Sequence, residues 1–132
     1  MTRRTLLAAL VLLPAFGSAV PATAAPENLA AAKLKAARMV YEAMVKQLHE
    51  GRVDAERPYL WSRRWMEAQR DASPKKADRI AALEAHRDRM KDLRKTAEQR
   101  YKAGQGSHAE VLSVDFYLAE AEVWLSEANK AK

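Results

Sequence analysis

Cysteine is absent from the 132 residues. Disulfides, thiolate metal sites and cysteine nucleophiles are therefore excluded. Glycine occurs four times and proline five times, so turns are few, and a sheet protein of this length would need more of them. No segment alternates apolar and polar residues over strand length, which rules out a β-barrel. What is abundant is Ala, Leu, Glu, Lys and Arg, with 48% hydrophobic and 30% charged residues. These side chains lose little rotamer freedom in a helix, and the composition predicts an all-α protein.

The N-terminus is distinct. Arg3 and Arg4 precede a short apolar run, Thr5 to Phe16, and Ala22-Thr23-Ala24 supplies small residues where a signal peptidase reads. The run is too short to span a bilayer and is broken by Pro14. The pattern predicts a signal peptide over 1–24, cleaved after Ala24, and a periplasmic or secreted helical domain over 25–132. The arginine pair also fits a loose twin-arginine pattern, so the export route stays open.

The net charge is +6, and removing Arg3 and Arg4 leaves 21 basic and 17 acidic residues, or +4. Acids interleave the bases, as in Arg87-Asp88-Arg89 and Lys91-Asp92-Leu93-Arg94. This is the pattern of a solvated helix face with i,i+4 pairs, and no nucleic-acid partner is expected. Attraction to an anionic membrane surface or an acidic partner stays open.

Apolar residues recur at spacings of three and four through four segments. Leu34, Ala37, Tyr41, Met44 and Leu48 place one helix over 28–50, ended by Gly51. Asp54 is a fair N-cap for a second helix running to Ala72, with Arg57 before Pro58 as the rival start, and Trp61, Trp65, Ala68 and Ala72 face inward. Ser73 and Pro74 are the expected N-cap and first residue of a third helix, which carries Leu83, His86, Met90, Leu93, Ala97 and Tyr101 in a coiled-coil period. Gly104 ends that helix. Gly106 is expected to share the reversal, and Ser107 with Glu110 forms a capping box for the fourth helix. Its stripe is Val111, Val114, Leu118, Ala121, Leu125 and Ala128, widened by Leu112, Phe116, Ala119 and Val123.

Shifted by 53 residues, the halves align: Gly51 falls on Gly104, Asp54 on Ser107, Trp65 on Leu118 and Ala68 on Ala121. This reads as a degenerate internal repeat of one αα-hairpin, 28–72 and 74–131. The expected fold is two antiparallel helical hairpins, as a four-helix bundle or an elongated coiled-coil-like pair. Arg87 and Arg94 fall where the first hairpin has Leu34 and Tyr41, so the third helix is expected to be rotated.

No catalytic constellation emerges. Glu84, His86 and Asp88 are spaced by two and diverge around a helix, so no metal site or cofactor is expected, and His49 and His108 are expected at the surface. Asp88 and Asp92 share a face but are flanked by bases; Glu120 and Glu122 point apart. Trp61 and Trp65 are expected in the core opposite Val114 and Leu118, while Tyr117 and Trp124 form a candidate exposed aromatic pair for a partner.

The segment Tyr101-x-x-Gly104-x-x-Ser107-x-x-x-Val111-Leu112-x-x-Asp115-x-x-Leu118-x-x-Ala121-Glu122 resembles the hairpin tips of the TolC-type outer-membrane efflux protein family, which carry such a motif twice per chain. The weaker copy here is Gly51, Asp54, Leu60, Trp65 and Ala68. Family members are several times longer and contain β-strands, so the resemblance implies no channel. It implies docking through the tips to adaptor-type hairpin proteins, by Gly51, Arg52 and Asp54 with Gly104, Gln105, Gly106 and Ser107, in an envelope setting associated with the outer membrane. The expected function is non-enzymatic protein–protein contact. The alternative is a periplasmic stress chaperone or sensor built as a helical bundle. Oligomerisation stays open.

Overall fold

The computed structural model describes residues 26–132; the expected signal peptide and its cleavage site lie outside them. The protein is all-α. Helix α1 spans Pro26–His49, α2 Glu56–Asp71, α3 Lys76–Lys102 and α4 His108–Lys130. No strand occurs among the described residues, and no helix there is long and apolar enough to cross a membrane.

Two antiparallel hairpins, α1–α2 and α3–α4, pack chiefly through α2 and α3. Helix α4 also leans onto α2, while α1 lies against α2. At 24 residues against 16, α1 is half as long again as α2, and residues 26–33 are exposed throughout. The main core joins Leu48 of α1 to Met90, Leu93 and Ala97 of α3 and to Val111, Val114 and Ala121 of α4. A second cluster, Met66, Ala82, Leu83 and Leu125, lies toward the other end.

Both hairpin turns use a glycine for the same reason. Gly51 and Gly104 each take φ of 72°, a conformation that costs an L-residue about 1–2 kcal/mol. Each supports paired turn hydrogen bonds back to the preceding helix, Arg52 N–H to Gln47 O in one and Gln105 N–H to Arg100 O in the other. The two stops thus share one turn geometry. Gly106 differs from expectation, because its φ is ordinary and only Gly104 supplies the reversal.

Several local expectations are corrected. Asp54 is not the cap of α2: Ala55 holds that position, with no capping side chain of its own. The third helix begins at Lys76, not Pro74; Ser73 Oγ accepts from Lys75 N–H and donates to Asp78, stabilising the break before the helix. Helix α2 is also turned relative to its expected stripe. Pro58, Ser62, Met66 and Ala68 are buried, while Trp61 and Trp65 are half-buried. Trp65 does not face Val114 and Leu118. Its ring lies 5.6 Å from Tyr41 of α1 and 4.0 Å from the Arg89 guanidinium of α3. The physical reason is that α2 is covered from two sides. Small Ser62 lets α3 approach closely, and the bulky Trp65 indole fills the flank toward α1.

Candidate functional site

The two turns lie side by side at one end of the molecule, and specific side chains tie them together. Arg100, in the last turn of α3, donates from Nη1 to the Leu48 carbonyl of α1 at 2.7 Å and from Nη2 to the Gln105 carbonyl at 3.1 Å. One guanidinium thus satisfies a carbonyl at the end of one hairpin arm and another in the opposite turn, using the planar fork that distinguishes arginine. Glu110 spans the turns in the other direction. Half of its expected capping box is present, since Ser107 Oγ accepts from Glu110 N–H at 3.1 Å. Its carboxylate, however, accepts from Ala55 N–H at 3.2 Å, meeting an orphan donor at the start of α2. The chain caps its first hairpin with a side chain from its second.

Every residue expected at the tips belongs to this end. Gly51, Arg52, Asp54, Gly104, Gln105 and Ser107 are exposed, and Gly106 is half-buried. A shallow depression runs between Gly51–Asp54, Arg57, Arg100 and Glu110. Tyr101 is exposed beside it, its ring 5.4 Å from the His108 ring.

The expected exposed aromatic pair is not exposed as a pair. Tyr117 is half-buried because its ring stacks on Tyr59 of α2 at 3.7 Å and 5°. Tyr59 in turn donates to Glu120 at 2.6 Å. Burial, reinforced by that carboxylate, pushes the Tyr59 hydroxyl up to about 12. Trp124 is half-buried under the Arg63 guanidinium, 5.3 Å away. The outward apolar residues of α4 are instead Leu112, Phe116, Ala119 and Val123, expected to widen the core stripe. Leu112, Phe116 and Val123 are 54%, 63% and 52% exposed. Their spacing of four, three and four is that of a coiled-coil seam without its partner helix. A shorter-chained counterpart, Leu29, Ala32, Ala36, Met39 and Ala43, faces outward on α1.

A polar cluster that sequence reasoning missed sits inside the α2–α3 contact. Ser62 and His86 are both fully buried and hydrogen-bonded, Oγ to Nδ1, at 2.8 Å. Arg89 donates from Nε to Ser62 Oγ at 2.7 Å and from Nη2 to the Ser62 carbonyl at 3.3 Å. The guanidinium can only donate. Ser62 Oγ therefore accepts from it while sharing a second hydrogen bond with Nδ1, and Nε2 has no partner within reach. Burial, then the charges of Arg89 and Arg63, lower the His86 pKa to about 4, so the ring is neutral near pH 7. Burial also draws Arg89 down to about 10. The serine–histidine pair has the spacing of a nucleophile and base, but a hydroxyl with no exposed surface cannot meet a substrate in this conformation. The signal for the cluster was Arg89 three residues after His86, on the same face of α3.

Among the described residues no three His, Asp or Glu side chains converge as metal ligands. His49 and His108 are at the surface, as expected. No family model matches the chain, and no curated protein or solved structure matches it either.

Proposed function

We propose that the chain is an exported, non-enzymatic contact protein of the cell envelope, engaging a helical hairpin partner of the adaptor type through its tip end and the adjoining outer face of α4. The observation that carries this reading is the outward seam of α4. Three large apolar side chains, each more than half exposed, align at heptad spacing and begin five residues beyond the Ser107 cap. Contiguous exposed apolar surface of this kind marks interaction sites. The paired tips, with turn carbonyls held rigid by Arg100, supply a preformed polar end next to it. The resemblance to TolC-type hairpin tips supports the same end of the molecule and the envelope setting.

The absence of cysteine and the exposure of Gln105 and Phe116 make the test direct. A photo-crosslinking side chain at either position, in envelope preparations, is expected to capture one common helical partner. The same probe at Lys35, exposed on α1, which packs against α2, is expected to capture none. Indistinguishable products at all three positions would refute the reading. Suppression of client aggregation that is lost on Phe116→Glu would instead favour the chaperone alternative, which the same exposed seam could serve.

A further inference from the structure

At the end opposite the tips, α4 diverges from α2 and leaves a cleft of about 660 Å³ over α3. This lies within the roughly 300–1,000 Å³ range of small-molecule sites. Its floor is apolar: Met66 and Leu83 are buried and Ile80 and Trp124 half-buried. Its rim is basic, with five cationic side chains against two acids, Glu67 and Glu127. Arg63 is neutralised by Glu67 at 3.1 Å, and Lys76 is held by the Ala131 carbonyl. Arg70 and Arg79 have no carboxylate within ion-pair distance among the described residues. Arg63 also lies over the Trp124 face, so that wall offers a fixed aromatic surface beside positive charge.

We infer that this cleft binds an anionic amphiphile, with an acyl tail against Met66, Ile80, Leu83 and Trp124 and a carboxylate or phosphate head on Arg70 and Arg79. An apolar floor under uncompensated guanidiniums at the mouth matches that chemistry: the tail gains from leaving water, and planar forks receive an oxyanion bidentately. A cationic amphiphile would meet the same floor but the wrong rim. The head could belong to a free fatty acid or to a membrane lipid, and the two share this recognition. The cleft is remote from the tips, so this inference stands or falls apart from the contact reading.

The test titrates the full chain with monomeric decanoate and, separately, with phosphatidylglycerol vesicles. Decanoate is expected to bind at one site, and hexanoate on the order of 100-fold more weakly for its four missing methylenes. Decyltrimethylammonium is expected not to bind. The double variant Arg70→Glu/Arg79→Glu, and separately Ala128→Trp, which fills the cleft, are each expected to weaken binding at least tenfold with an unchanged fold by circular dichroism. Phe116→Ser, on the exposed seam, should leave it unaltered. Dependence on Arg70 and Arg79 in the decanoate arm assigns a free acid, and in the vesicle arm alone a lipid headgroup. Binding that ignores head charge, survives charge reversal, or is abolished by Phe116→Ser overturns the proposal, as does no binding in either arm.

Discussion

His86 shows how one buried residue ties stability to pH. Its folded pKa of about 4 lies below the ordinary 6.5, so between these values the unfolded chain binds a proton that the folded chain refuses. The associated stability is complete above pH 6.5, declines as pH falls, and is gone below about 4. The span corresponds to about 3 kcal/mol at 1.36 kcal/mol per unit. Urea unfolding between pH 7.5 and 4 is expected to show this loss, and His86→Leu is expected to flatten that part of the profile. Ser62→Ala removes the acceptor for Arg89 and the hydrogen-bond partner of His86 together. It is expected to cost about 1–3 kcal/mol despite the small change in volume, because the stranded groups stay buried.

At the scale of elements, the two tip glycines make separable predictions. A methyl group at Gly104 would meet nothing within 4 Å, so Gly104→Ala costs only its backbone conformation. Thermal melting is expected to fall by several degrees, following about 1 kcal/mol. Gly106→Ala, at ordinary φ and in van der Waals contact with Arg100 and Glu110, is expected to melt within a degree or two of the parent. Existence and order of the helices were legible in the sequence, because three- and four-residue spacing and glycine stops report local geometry. The face that α2 buries was not. Trp61 and Trp65 suggested a core stripe by their spacing of four, whereas the close α2–α3 contact required small Ser62 there. Helix α4 has apolar residues on two faces, and spacing cannot say which face lacks a neighbour. The tip residues were legible from their glycines and cap; the bracing by Arg100 and Glu110 was not, because each reaches more than fifty residues along the chain.

For the whole molecule, the decisive property is that two hairpins act as one body with both turns at the same end. Arg100→Ala severs one of the two side-chain bridges between them and leaves that of Glu110. It is expected to cost about 2 kcal/mol and to speed amide exchange at Gly51 and Gln105 while the Leu83–Leu125 region keeps its protection. Independent hairpins would confine any change to one turn. The most direct measurement places spin labels on cysteines introduced at Arg52 and Gln105 of this cysteine-free chain and reads their separation by pulsed dipolar spectroscopy. Side-by-side turns predict a single narrow distribution at about 20 Å or less, roughly two helix-packing distances. A broad distribution, or one centred near the ~40 Å length of the 27-residue α3, would mean that the tips do not form a common end and would contradict the account.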